Sequence, residues 1–330
     1  MDTALKPLSE SQHVHRQDAR AGVRYRWRVG VQSVLLALVV QALPASADTS
    51  VQPVPKRIVS LLPSATEAVC ALGRCADLVG VDVFSQDPPS VRQLPQLGKP
   101  FQPDLEGIVR LRPDVVLTGR SPAVQQRLRS MGVRVVEVDA ETVPEVKAML
   151  GQIDALLQTR QADVVWSGLQ QRLQKLADGV AAQRGRVKAD AAPAESAPPS
   201  KTRVYLEVDA AMYAAGPHSF MGQLLTMLGA DNILPATGPA FPRMTPEWVV
   251  RQDPDLIIQT YSSHLKALKM RPGWMQMRAL REERVCVLSM TESRVVTRPG
   301  PNLDKAAAVL ARCLRGEKQP LNDVQLESSL

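Results

Sequence analysis

The chain has 330 residues, 45% of them apolar and 22% charged, enough for two modest lobes built around buried cores. Aromatic residues are only 4%, which argues against stacking platforms for single-stranded nucleic acid. Lys and Arg outnumber Asp and Glu by 40 to 33, but part of the excess lies before residue 48; the remainder, near +4, is spread without a basic run, which excludes a dedicated nucleic-acid binder.

Taken from the start, residues 16–47 read as a secretory signal. Arg16, Arg20, Arg24, Arg26 and Arg28 make a positive leader, residues 29–40 a short apolar stretch, and Ala45-Ser46-Ala47 a small-residue cleavage site before Asp48. The apolar stretch falls short of the roughly 20 residues needed to span a bilayer, and Pro44 follows it. The first cysteine is Cys70, so a lipid-modified N-terminal cysteine is not expected, and the reading is a periplasmic protein without a membrane span.

From there short apolar runs alternate with helical patterns, the signature of α/β units with mainly parallel strands. Strands are predicted over 57–62, 78–81, 115–117 and 133–138, with helices near 66–72, 104–111 and 123–131. Further on, strands are predicted over 203–208, 256–259 and 285–288, and helices near 220–228, 246–252 and 303–314. Between the two sets, 146–183 reads as one or two helices spanning between lobes, and 184–202, rich in Ala, Pro and Ser, as a solvated linker. The domain scheme is therefore a signal peptide (1–47), an N-terminal lobe (48–145), the interlobe helix (146–183), the linker (184–202), a C-terminal lobe (203–316) and a tail (317–330).

An internal repeat supports this scheme. PDLEGIVRLRPDVVL (103–117) and MTPEWVVRQDPDLII (244–258) align without a gap, matching Glu106 with Glu247, Val109 with Val250, Arg110 with Arg251, and Pro113-Asp114 with Pro254-Asp255. Each copy reads as a capping residue (Asp104 or Thr245), a short helix, a Pro-Asp turn and a buried strand. Four cysteines, Cys70, Cys75, Cys286 and Cys313, all lie in the exported part. A local Cys70–Cys75 bridge and a Cys286–Cys313 bridge are favoured over free buried thiols, and metal ligation is less favoured still, because no His sits near either pair.

KRIVSLLPSATEAVCALG (56–73), LVGVDVFSQDPP (78–89), the DLE…RPDVVL element and the spanning helix resemble the vitamin B12 and iron-chelate periplasmic binding proteins, helical-backbone substrate receptors of ABC importers. The resemblance covers about residues 55–315 and is closest to the B12-binding branch through LLPSATE and FPRMTPE (241–247). It implies the class III periplasmic binding protein fold: two Rossmann-like α/β lobes joined by a single long helix, with ligand in the cleft between them. It further implies that Glu106 and Glu247, one per lobe, dock into arginine pockets of a twofold permease, a role that matched anionic knobs suit. A helix dipole alone also favours acidic residues at such positions.

Loops at the carboxyl ends of strands are where ligands sit in α/β sheets. In the first lobe these carry Ser64, Phe84, Lys99, Phe101 and Arg120; in the second they carry Tyr213, Phe241, Arg243, Tyr261 and the segment 292–298 with Arg294 and Arg298. Phe84 and Phe241 match positions where the B12-binding branch sets aromatic rings against the corrin. The branch's first-lobe tryptophan is replaced near Pro100-Phe101, and its Asp-Trp pair falls near Thr291-Glu292. The cations suit carboxylate, phosphate or catecholate oxygens, so haem and ferric siderophores stand beside a cobalamin-type corrinoid as ligands. The cobalt or iron chelate is cargo, with no intrinsic cofactor, and a monomer is expected.

Rival readings fare less well. A free-metal-ion receptor needs three or four converging ligands, while the exported part holds only His218 and His264. Tyr213 and Tyr261 are nevertheless candidates to touch a haem iron, while His218 in AGPHSF is favoured as a helix-start residue over a haem axial ligand. An enzyme lacks its motifs: GPHSF is no G-x-S-x-G elbow, and no Walker, Rossmann or H-E-x-x-H signature occurs. Glu67 has no His or nucleophile partner in sequence and reads as a helix-capping residue.

Overall fold

The computed structural model describes residues 53–190, 201–261 and 265–317. The expected signal peptide, most of the linker, the tail beyond residue 317, His264 and Ser262 lie outside the described residues.

Pattern and punctuation set the elements in chain order. Strand β1 (Ile58–Ser60) is followed by α1 (Pro63–Ala71), which starts on a proline whose missing N–H costs nothing in the first turn. Then come β2 (Leu78–Val81), a hairpin of β3 (Gly98–Lys99) and β4 (Gln102–Pro103), α2 (Leu105–Arg110) and β5 (Val115–Thr118). Helix α3 (Pro122–Ser130), β6 (Val135–Glu137), α4 (Val143–Leu157) and α5 (Ala162–Asp190) complete the first half and the link. The second half runs β7 (Arg203–Glu207), α6 (Phe220–Met227), β8 (Asp231–Asn232), α7 (Pro246–Gln252), β9 (Leu256–Gln259) and α8 (Leu265–Lys269). It ends with α9 (Arg278–Arg281), β10 (Val285–Val287), α10 (Met290–Val296) and α11 (Leu303–Arg315).

Two separate four-stranded parallel sheets result, ordered β2-β1-β5-β6 and β10-β9-β7-β8. Counted within each half, both run second–first–third–fourth, so the repeat seen in sequence is a repeat of topology. It extends to single hydrogen bonds. The Asp114 carboxylate accepts from the backbone N–H of Arg57 at 2.9 Å, and Asp255 accepts from that of Arg203 at 2.9 Å. The Arg57 guanidinium caps the carbonyls of Leu111 and Arg112; that of Arg203 caps those of Gln252 and Asp253. Arg112 and Asp253, at equivalent positions before the Pro-Asp turn, both sit at φ 45°. The arginines satisfy helix-end carbonyls that would otherwise be orphaned.

Among the described residues, α4 and α5 are the elements that lie along the chain between one sheet and the other. They are two helices, broken where Gln158 and Arg160 take positive φ, and α5 runs on through residues 184–190, which sequence composition had given to the linker. Leu169, Leu173 and Val180 of α5 are buried, and α11 packs along α5 through Leu303, Ala306, Ala307 and Leu310. One apolar cluster thus takes in Ile58 and Leu117 of the first sheet, Leu206 and Ile258 of the second, and the helices between. The described residues fall in a single compact unit. Among the described residues no helix is long and apolar enough to cross a membrane.

Cys70 is bridged to Cys75 and Cys286 to Cys313. The first bridge closes the end of α1 around Leu72 and Gly73; the second ties edge strand β10 to α11 across 27 residues. A loop of that length corresponds to roughly 3.5 kcal/mol of stabilisation by the chain-entropy argument. Replacing both Cys286 and Cys313 by alanine is expected to lower the urea midpoint accordingly, with no change in the denaturant slope of the reduced control.

Candidate functional site

The turn after β2 is built around Asp82. Its buried carboxylate accepts from the N–H of Phe84 at 2.8 Å and from the hydroxyl of Ser85, which meets the Thr66 hydroxyl at 2.9 Å. With its neighbours held inward, the Phe84 ring is left 45% exposed. Burial pushes the Asp82 carboxyl above its ordinary range, and the Ser85 and Phe84 hydrogen bonds partly offset this.

Across from this turn stands Arg298, which comes from the second half. Its Nη2 donates to the Phe84 carbonyl at 2.6 Å and its Nη1 to Glu67 Oε1 at 2.9 Å, while Asn302 Nδ2 donates to Glu67 Oε2 at 2.9 Å. Glu67 lies in the middle of α1, five residues from either cap, Leu62 or Leu72, so the capping role read from sequence is corrected: its carboxylate is the anchor of an ion pair between the halves. The loop at Gly300 presses on α1, where a Cβ at Gly300 would stand 3.4 Å from Ser64 Cβ. Lys305–Asp87 (3.3 Å) reinforces the same seam, and Arg172–Asp304 (2.6 Å) ties α11 to the link helix α5.

Between the halves a hollow of about 260 Å³ is lined by Leu62, Pro63, Ser64, Phe84, Arg294, Thr297, Arg298 and Pro299. It brings together four of the residues singled out in sequence: Ser64, itself 2% exposed, Phe84, Arg294 and Arg298. Of the segment 292–298, read as a loop, residues 292–296 are instead the body and end of α10, started by a Ser289–Glu292 capping box, and Thr297 and Arg298 follow the helix. The signal was present as Ser289-x-x-Glu292, and it was missed. Glu292 is further held by Arg312 at 2.7 Å.

The other candidates are distributed around this hollow. Phe241 packs edge-on against Phe220 with ring centroids 6.4 Å apart. Phe220 N–H donates to the Glu141 carbonyl at 2.6 Å and Val143 N–H to Gln223 Oε1 at 2.7 Å, so this pair also lies at the seam. Arg120 is surrounded by Glu141 at 2.9 Å, Asp139 at 3.7 Å and Glu145 at 3.9 Å; it is a neutralised cation. Tyr213, 43% exposed, forms an antiparallel bridge with Arg243, whose Nε donates to the Ala211 carbonyl at 3.0 Å. Lys99 is exposed on β3, and Phe101, at 75%, is exposed at the hairpin tip.

Tyr261 turns inward. Its hydroxyl donates to the buried Glu207, which also holds Arg271 at 2.8 Å, and Arg271 lies 4.3 Å above the Trp274 ring. Burial and the adjoining carboxylate push its phenol above the ordinary range, and the hydroxyl is engaged by Glu207 and Arg271. The His218 ring is hydrogen-bonded to the Ala236 carbonyl. Among the described residues no group of three His, Cys, Asp or Glu side chains is placed to hold a metal ion. Glu106 and Glu247 are exposed in the first turns of α2 and α7, behind the caps Asp104 and Thr245. Neither makes an ion pair among the described residues.

Glu67 also supplies a pH signature. Burial raises its pKa despite Asn302 and Arg298, so the folded state holds this proton more tightly than the unfolded state. Its contribution is therefore present in full below the unfolded value and declines as pH rises through the folded one. A Glu67→Gln variant is expected to lack that decline when thermal midpoints are compared from pH 4 upward.

Two parallel α/β halves of like topology, tied by a helical link and enclosing a hollow at the carboxyl ends of their strands, define a two-lobed binding protein of the helical-backbone class. Residues 58–290 match the periplasmic binding protein family, and the chain belongs to that family. It is 28% identical over 280 residues to the ABC transporter substrate-binding lipoprotein YvrC of Bacillus subtilis, covering 82% of this chain and 83% of that protein. It is 28% identical over 215 residues to the vitamin B12-binding protein of Pectobacterium atrosepticum, covering 64% and 73%. Among solved structures, a periplasmic heme binding protein from Pseudomonas aeruginosa superimposes with a TM-score of 0.61 at 29% identity, over 81% of this chain and 95% of that one.

Proposed function

We propose that this substrate-binding protein of the ABC-importer type captures a corrinoid between its halves and hands it to a permease dimer that Glu106 and Glu247 engage. The class follows from family membership and from relatives named for ABC transport, vitamin B12 and heme. The observation that carries the ligand reading is the hollow between the halves, where an exposed aromatic, Phe84, stands beside Arg294 and Arg298. A flat, amide-rimmed macrocycle can set its apolar face on the ring and its polar edge on the guanidinium groups. The vitamin B12-binding relative supports corrin over other macrocycles.

Calorimetric titration of the mature protein with cyanocobalamin, haemin and ferric siderophores tests this. Cyanocobalamin is expected to bind tightest; a tighter response to haemin selects the second reading, which the structural likeness to a heme-binding protein supports. Silence from all three would remove the ligand class. The export reading predicts that the mature chain begins at Asp48, which mass spectrometry of the secreted protein checks.

A further inference from the structure

Next to the hollow beneath Phe84 lies a second one, of about 290 Å³, that shares Arg294 and Arg298 with it but none of its apolar walls. Four cations line it, Arg92, Arg294, Arg298 and Lys305, against two carboxylates, Glu67 and Asp87. Both carboxylates are already engaged. Glu67 lies between Arg298 and Asn302 at 2.9 Å each, and Asp87 accepts from Lys305 at 3.3 Å. Two guanidinium groups are left over. Arg294 makes no ion pair among the described residues, and neither does Arg92, whose Nε donates to the Gln86 carbonyl at 2.8 Å. A concave space walled by both halves therefore holds about two uncompensated positive charges, one from each half.

We propose that this second hollow is an oxyanion subsite, distinct from the aromatic floor, in which Arg92 and Arg294 together take a phosphate- or carboxylate-type group. Planar guanidinium forks match such oxygens in pairs, and the concave wall reduces the screening that weakens exposed cations. The group can be a free oxyanion or one appended to the captured chelate. Because Arg92 belongs to the first half and Arg294 to the second, an oxyanion held by both links the halves beside the Arg298–Glu67 pair. Only the appended form rests on the corrinoid reading.

The test is a titration of the mature protein with inorganic phosphate at low ionic strength, for the natural sequence, Arg92→Gln and a control, Arg127→Gln, on the exposed face of α3. A free oxyanion site predicts saturable phosphate binding that weakens about tenfold in Arg92→Gln, the worth of one charge-assisted hydrogen bond, and is unchanged in Arg127→Gln. A second titration compares cyanocobalamin with cobinamide, which lacks the phosphate-bearing loop. An appended oxyanion predicts that the natural protein prefers cobalamin and that Arg92→Gln narrows the preference by a similar factor. Equal losses in the two arginine variants, or no effect of Arg92→Gln in either titration, overturn the subsite. Failure of both corrinoids to bind refutes the proposed cargo and leaves the phosphate titration to decide the subsite.

Discussion

Replacing Arg298 by alanine is expected to lower the thermal midpoint of the mature protein by roughly 10 °C. The side chain is 12% exposed and its partner Glu67 only 4%, so the substitution strands a carboxylate in a buried seam. Removing one member of such a pair costs about 3–5 kcal/mol, because the remaining charge keeps its desolvation penalty without its partner. At this chain length each kcal/mol corresponds to about 2–4 °C. Arg298 also holds the Phe84 carbonyl, so loss of the guanidinium frees the turn that presents the exposed ring, and chelate affinity is expected to fall with stability. Arg294, exposed on α10 and four residues before Arg298, which follows the end of that helix, is the internal comparison: Arg294→Ala is expected to stay within about 0.5 kcal/mol of the parent. Differential scanning calorimetry of both variants decides the matter. Equal midpoints would mean that the Arg298–Glu67 pair does not hold the halves.

Charge reversal at both repeat glutamates, Glu106→Arg with Glu247→Arg, is expected to abolish uptake in cells while leaving chelate affinity and thermal midpoint near those of the parent. Both carboxylates are exposed and unpaired among the described residues, so each contributes no more than the helix-dipole increment of about 0.3–1 kcal/mol to stability. Against the arginine pockets that the docking proposal assigns to the permease, two arginines would oppose like charge with like charge at a cost of several kcal/mol. Single reversals are expected to give intermediate uptake, since one half still presents its knob. Growth on a limiting chelate, with affinity measured on the same purified variants, separates docking from capture. Full uptake by the double variant would end the docking role.

Much of the architecture was legible because it is encoded locally. β2 and β9 fall on the predicted residues, and α7 begins and ends where expected. Short continuous apolar runs, a cap at Thr245 and a proline in the first turn act within four residues of where they stand. The repeat was visible for the same reason, and the structure extends it to the paired Arg57 and Arg203 caps on equivalent helix ends. Helix α10 was legible too, through Ser289 and Glu292; it was missed because the segment was read as a binding loop.

What linear order determined was the type of each element, the duplication of the half and the exposure of Glu106 and Glu247 at matched helix starts. What only tertiary structure decided was which candidate side chains remain available to a ligand. Glu67 meets Arg298 across 231 residues, Arg120 is enclosed by carboxylates, and Tyr261 is drawn inward by Glu207 and Arg271. Capping and periodicity are properties of neighbours along the chain. Neutralising a charge depends on what folding brings within about 4 Å, and no spacing in the chain records that distance.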